Sequence, residues 1–187
     1  MADRADITPE LCRQLLRYNP ETGKLYWRER SPEMFEGRKR PADLLCRIWN
    51  GGNAGQEAFT YIGNHGYFSG SILNIGFTAH RVIWAMQVGE WPTHDIDHID
   101  GDRQNNRWQN LRDVTHAVNL RNAAGKSNNK SGATGVNWRA DKGKWRARIM
   151  VDGKDVSLGH FDSFDEAVAV REAAQSSCGF TTRHGIL

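Results

Sequence analysis

Asp95-Ile96-Asp97-His98-Ile99-Asp100-Gly101-Asp102-Arg103-Gln104-Asn105-Asn106-Arg107-Trp108-Gln109-Asn110-Leu111 places four aspartates, a histidine and three asparagines in seventeen positions. The apolar residues among them (Ile96, Ile99, Trp108, Leu111) are too few to bury such a segment deeply. Asp and Asn around a glycine ordinarily make solvated turns, because their side chains bond their own backbone and tolerate left-handed conformations. Asp97-His98 alone favours that turn. A carboxylate beside an imidazole is also what metal-assisted chemistry on a phosphate needs: one holds a hard cation, the other takes a proton from water near neutral pH. Asn110, twelve residues after His98, and Asn119, nine further on within Val114-Thr-His-Ala-Val-Asn119-Leu-Arg-Asn122, move the reading toward that chemistry.

On these residues, from His80-Arg81 through Asp97-His98, Asn110-Leu111 and Asn119, the chain resembles the HNH endonucleases of phages and prophages, relatives of the HNH homing endonucleases. The resemblance implies two strands and a helix around one metal ion, a ββα-metal finger. It makes His98 the general base, Asp97 the metal-binding residue before it, and Asn110 the residue that pins the loop. It makes Asn119, on the helix, the second metal ligand. Asn at that last position is the H-N-N variety, with one charged ligand, which favours one Mg²⁺ or Mn²⁺ with several waters over tightly held zinc. His80 and His116 are further candidates, for which a packed or capping role is equally open; of the two, His80 is retained as catalytic. Asp97 and His98 are neighbours, and neighbours on a regular strand face opposite sides, so the strand is expected to twist or end there.

With 187 residues, 39% of them apolar, several thin cores are expected rather than one thick one. The net charge is only +3, yet Arg121 to Leu158 holds nine Lys/Arg against three Asp. That local excess points to a polyanion. Cys12, Cys46 and Cys178 lie far apart without a C-x-x-C pair, giving neither a disulfide framework nor a zinc ribbon. No apolar run reaches transmembrane length and the first residues lack a signal peptide's apolar segment. The expectation is a cytoplasmic protein of a bacterial host cell, phage- or prophage-encoded, without a membrane or small-molecule cofactor among its partners.

Thr8-Pro9-Glu10 starts a helix, with Leu11, Leu15 and Leu16 as its apolar stripe and a stop near Asn19-Pro20. Glu21-Thr22-Gly23 then turns into a strand over 24–28. The run Tyr18-Asn-Pro-Glu-Thr-Gly-Lys-Leu-Tyr-Trp27 resembles the opening of many phage HNH proteins. Residues 29–57 show no sustained period; their basic cluster Arg38-Lys39-Arg40 reads as a solvated loop or a DNA-backbone contact. Strands over 59–62 and 67–73 flank the turn Gly63–Gly66. A third strand ends near His80, and a short helix follows from Arg81 to Val88.

Ala123 to Gly132 is small, polar and slightly basic, the composition of a linker. Beyond it, strands at 134–139, 145–151 and 155–159 precede a helix opened by the capping box Ser163-Phe-Asp-Glu166. Period two puts Val136, Trp138, Trp145, Ala147, Ile149, Val156 and Leu158 against that helix, whose own face is Phe164, Ala167, Val170 and Ala174. Asn137, Arg139, Arg146 and Arg148 then point away together, with Lys144 at the edge. A polar outer face is ordinary for a sheet, but three arginines on one small face suit phosphates and guanine edges. On Gly135-Val136, Trp138, Lys144-Trp145-Arg146-Ala147, Leu158-Gly159, Phe161-Asp162 and Glu166-Ala167 this unit resembles the Apetala/ethylene-response-factor DNA-binding domain.

The fold class expected is therefore α+β, in five parts: a β-rich scaffold or DNA arm (1–79), the HNH motif (80–122), a linker (123–132), the Apetala-type domain (133–175) and a tail (176–187). The function expected is a monomeric, metal-dependent endonuclease acting on double-stranded DNA, nicking it to leave 5′-phosphate and 3′-hydroxyl ends. The alternatives are a DNA-binding protein with a structural or decayed HNH segment, and a nuclease acting on RNA.

Overall fold

The computed structural model describes residues 3–121, 131–151, 153–178 and 180. Most of the expected linker and most of the expected tail lie outside these. The chain divides into two compact units, Met1–Asp113 and Val114–Leu187. It mixes helices with several small antiparallel sheets, and no helix among the described residues is long and apolar enough to cross a membrane.

In the first unit, α1 (Pro9–Leu15) starts where expected, with the Thr8 hydroxyl accepting from the Leu11 N–H. It is shorter than its apolar stripe suggested. Leu16 begins β1 (Leu16–Asn19), which pairs with β2 (Lys24–Trp27), and β2 with the two-residue β3 (Glu57–Ala58). The fully buried Leu16 serves the strand, since the same core is reached from either backbone conformation.

Residues 42–53, where no period was read, form the twelve-residue helix α2 (Ala42–Asn53). Its apolar residues Leu44, Leu45, Ile48 and Trp49 lie on one side, Cys46 is its only buried residue, and hydrogen bonds add to its anchoring. Arg30 supplies several: its N–H donates to Asn50 Oδ1 (2.9 Å), and its carbonyl accepts from Asn50 Nδ2 (2.9 Å) and the Cys46 thiol (3.0 Å).

The expected hairpin is present as β4 (Tyr61–Ile62) and β5 (Phe68–Ile72), with β6 (Ile75–Thr78) as the third strand. Phe59 adopts a left-handed conformation (φ 61°) and packs where a Cβ on Gly70 would approach its ring to 2.8 Å, so Gly70 has to be glycine. α3 (Ala79–Val88) takes His80 into its first turn and ends on Gly89 in the left-handed region. Val82, Ile83 and Ala85 of α3 are fully buried, Val82 and Ile83 in a single cluster that reaches from Ile7 to Leu111.

β7 (Asp95–His98) and β8 (Leu111–Val114) form a two-stranded sheet, and α4 (His116–Arg121) follows in the chain. The second unit contains β9 (Val136–Arg139), β10 (Lys144–Val151) and β11 (Lys154–Phe161) in the order β11-β10-β9, backed by α5 (Phe164–Ser177). Val136, Ala147 and Ala167 form its small core.

Two details differ from the period-two and helical-period readings. The α5 face toward the sheet is Phe164, Ala167, Val168 and Arg171, not a face continued by Val170 and Ala174. Arg171 is 4% exposed and lies beneath Gly135, where a Cβ would meet its Nε at 2.8 Å and the Arg148 carbonyl oxygen at 2.4 Å. An apolar-only pattern overlooks that arginine. On the sheet, Trp138 is 51% exposed, because Trp145 takes the contact with Phe164 (4.7 Å between rings) and Trp138 lies only against Trp145. A bulge skips Leu158, shifting the register between Ala147↔Gly159 and Arg148↔Ser157, and brings Phe161 opposite Trp145.

Candidate active site

β7 ends at His98, as the two-sided demand on Asp97 and His98 requires, and Gly101 (φ 71°) turns the chain two residues after Ile99. The two side chains take different partners. Asp97, 7% exposed, receives both Nε (2.9 Å) and Nη2 (2.7 Å) of Arg112 on one oxygen, Oδ2. His98, 3% exposed, has its Nε2 2.9 Å from Asn106 Oδ1. With that oxygen accepting, Nε2 carries the proton and Nδ1 is the nitrogen with a lone pair. That is the form a general base needs.

Asn110 closes the loop that carries this arrangement. Its Nδ2 donates to Asp100 Oδ1 (2.9 Å) and to the Asn105 carbonyl (2.8 Å), its Oδ1 accepts the Asp100 N–H (3.0 Å), and its own carbonyl accepts the Ile99 N–H (2.9 Å). Asn110 thus pins both ends of the 99–110 loop. Burial works against ionisation of Asp100, but hydrogen bonds from Asn105, Asn110 and the Asp102 N–H outweigh it and lower its pKa. A charged Asp100 is therefore part of the loop's frame.

His80 is buried beside His98, with 5.3 Å between ring centroids, and Tyr67 lies against both at 4.7 and 5.8 Å. Its Nε2 is 3.3 Å from Thr78 Oγ1, and its Nδ1 has no hydrogen-bond partner among the described residues. Burial, with His98 and Arg81 adding to it, pushes the His80 pKa down to about 3. This histidine is neutral at physiological pH. Asn119 lies on α4, its N–H donating to the Thr115 carbonyl (3.0 Å), in the second unit.

Four contributors have no counterpart among the residues that the sequence singles out. Asn106 and Asp100 stand within the Asp95–Leu111 stretch, where a turn accounts for them. Arg112 and Tyr67 give no motif signal, since a cation near an acid and an aromatic in a strand are commonplace. The largest omission is the β1–β2 turn. Tyr18 donates its hydroxyl hydrogen to the Asn106 carbonyl (2.7 Å), Arg107 Nε donates to the Glu21 carbonyl (2.7 Å), and the Trp108 N–H donates to the Pro20 carbonyl (3.2 Å). A Cβ on Gly23 would stand 2.6 Å from the Asn106 carbonyl carbon. The turn is therefore a clamp on the residue that orients His98. Gly23→Ala, strained by φ 76° and colliding with backbone, should lower stability by about 1–3 kcal/mol. Any activity that depends on His98 should fall further than the unfolded fraction explains. A variant with wild-type melting and turnover would remove the clamp from the site.

The expected DNA-contacting residues lie on the second unit's sheet, and each of the four cations among them has a carboxylate. Arg139 binds Asp141 (2.9 and 3.0 Å), Lys144 binds Asp162 (3.1 Å), and Arg146 and Arg148 share Asp155 (3.4 and 2.7 Å). Asn137 is exposed opposite Arg146. Exposed pairs of this kind contribute little to stability, so a phosphate can displace the acid. Asp155→Asn should release two arginines at once and tighten DNA binding several-fold at low salt. Fluorescence polarisation across a salt series measures it; unchanged affinity and slope would mean those arginines do not meet DNA.

Residues 77–121 match the family model described as HNH endonuclease. Protein 3.8 of Escherichia phage T7 is 33% identical to this chain over 76 residues, which are 40% of this chain and 63% of that protein. The chain thus spans less than two thirds of that relative's length. No solved structure matches the chain significantly.

Proposed function

We propose that this protein is a divalent-metal-dependent endonuclease that nicks double-stranded DNA. The observation that carries the reading is the His98–Asn106 hydrogen bond inside a loop locked by Asn110, within the segment that matches the HNH endonuclease model. It prepares one imidazole nitrogen to accept a proton at the place where the motif requires a base.

The donor set suits a hard, hydrated cation. Among the described residues no three His, Cys, Asp or Glu side chains cluster as a metal cage. Asp97 is a single buried carboxylate with one oxygen engaged by Arg112. One carboxylate and one amide fit Mg²⁺ or Mn²⁺, which keep several waters, and not zinc. Asp97 and Asn119 would hold the ion; the part of Asn119 rests on the motif spacing. When bound, such an ion neutralises charge on the scissile phosphate and on the leaving 3′ oxygen.

In this reading His98 Nδ1 takes a proton from the attacking water, and Asn106 keeps the ring in the tautomer that allows it. Asn110 holds the loop rigid. Neutral His80 and Tyr67 wall the imidazole from solvent without placing a positive charge beside it. The products are a 5′-phosphate and a 3′-hydroxyl. The second unit, an Apetala-type sheet and helix in this reading, provides most of the affinity for DNA through Asn137, Arg139, Lys144, Arg146 and Arg148.

Supercoiled plasmid incubated with Mg²⁺ should give open circles first and linear molecules later, because one His98 activates water against one strand at a time. EDTA should stop the reaction. An inert protein that still binds the plasmid would favour the DNA-binding alternative, and linear product from the earliest points would require paired active sites.

A further inference from the structure

The first unit contains a second basic site, apart from the motif residues. A cavity of about 510 Å³ opens between β2, α2 and the β5–β6 turn, lined by Trp27, Arg30, Arg38, Lys39, Arg40 and Trp49 among others, with no acidic residue in its wall. Its volume lies in the range of sites that take small organic ligands, about 300–1,000 Å³, and exceeds what a bare ion fills.

Arg30 is the informative residue. Its backbone is held to α2 through Asn50 and Cys46, and its guanidinium carbon stands 3.8 Å from the Trp49 ring centroid and 5.6 Å from that of Trp27. Stacking fixes the plane of the guanidinium but leaves its hydrogen-bonding edge unused. The Nε is buried with no hydrogen-bond partner, and the guanidinium has no ion pair among the described residues. Burial lowers the pKa of this arginine, the direction expected for a charge drawn out of water without a counter-charge. Such a group is costly unless something anionic completes it.

Arg38, Lys39 and Arg40 are exposed at the mouth and also take part in none of the ion pairs among the described residues. The second unit differs, since Arg139, Lys144, Arg146 and Arg148 on its sheet each have a carboxylate. A solvated basic loop would explain the three exposed cations but not a half-buried arginine beneath them whose Nε is buried without a hydrogen-bond partner.

We propose that this cavity binds a nucleotide unit of a DNA strand through its phosphate, with Arg30 as the recessed anchor and Arg38, Lys39 and Arg40 on the flanking phosphates. The phosphate-ester chemistry follows from the cations alone; DNA as its source rests on the nuclease reading above. The cavity adds a contact in the first unit, so register on the duplex does not depend on the second unit alone.

The test uses the full chain in EDTA, so binding is read without cleavage. A labelled 20-base-pair duplex is titrated across a salt series, with thymidine 5′-monophosphate and inorganic phosphate as competitors. Replacing Arg38, Lys39 and Arg40 together with Gln alters only exposed side chains; Arg30→Met keeps the stacking volume and removes the charge. The triple variant should reduce the salt-dependence slope by roughly 0.9 for each phosphate that it no longer neutralises. Arg30→Met should weaken binding about tenfold, with the monophosphate competing weakly against wild type. Wild-type affinity and slope in the triple variant would overturn the proposal, whether or not Arg30→Met folds. So would monophosphate binding as tight as the duplex, since the site would then serve a free nucleotide. DNA binding that depends on these cations in a chain that cleaves no DNA would sink the nuclease reading and leave this site standing.

Discussion

His98→Ala should abolish cleavage while the protein still folds and still binds DNA. The replaced group is an imidazole whose Nε2 stands 2.9 Å from Asn106 Oδ1, the contact that sets its tautomer. His80 cannot take over: its pKa lies near 3, and its ring is enclosed by Tyr67, Thr78 and His98. Loss of a general base ordinarily lowers turnover by about 10²–10⁴-fold. The proposed DNA contacts, the arginine face and the Arg30 cavity, do not include His98, so DNA affinity should change less than threefold. Nicking rates, polarisation and thermal melting on one preparation separate the three properties. Cleavage within a few-fold of wild type would remove His98 from the chemistry. Loss of DNA affinity in parallel would make it a binding residue instead.

Acid should destabilise the first unit from about pH 6.5 downward, and His80 should account for much of the effect. The unfolded chain takes a proton on this imidazole as pH falls through its ordinary value near 6.5, whereas the folded protein keeps it neutral down to about 3. The unfolded state therefore binds more protons throughout that window. Stability is fully present above pH 6.5 and is lost as pH falls, by about 1.4 kcal/mol per unit, or roughly 2 kcal/mol between pH 6.5 and 5. Partial burial of the same imidazole in the unfolded ensemble would reduce this somewhat. His80→Phe keeps a planar ring against Tyr67 and removes the titration. Urea midpoints for both proteins at pH 7, 6 and 5 isolate the contribution, and parallel curves would rule it out. The variant also probes the site, because it retains a neutral wall beside His98 and gives up the hydrogen bond to Thr78.

How far the site could be read from the chain depended on how local each interaction is. The carboxylate-histidine pair and the expectation that β7 twists or ends there follow from adjacent residues, while the pinning role of Asn110 came from the family resemblance. The Asn106 contact is nearly as local, eight residues from His98, yet an asparagine in a turn has a sufficient local explanation already. Nothing in its surroundings marks it as a partner of the imidazole. Arg171 shows the same blindness in another form: a helix face read from apolar residues has no place for a buried arginine, and only the missing side chain of Gly135 makes room for one.

Periodicity and turn chemistry pointed to the α+β class and the short hairpins, and the family resemblance to the motif around His98. Periodicity and turn chemistry are properties of adjacent residues, and they are written directly in the order of the chain. α2 escapes a reading by sustained period because its apolar stripe, Leu44, Leu45, Ile48 and Trp49, is short and flanked by Pro, Gly and charge. The network through Asn50 and Arg30 that holds it is visible only in the tertiary structure. Tertiary structure also decided that the β1–β2 turn grips the loop bearing Asn106, across more than eighty residues. Contacts of that separation depend on where two backbones meet, and a backbone carbonyl accepting a hydrogen bond leaves no mark on the identity of the residue that carries it.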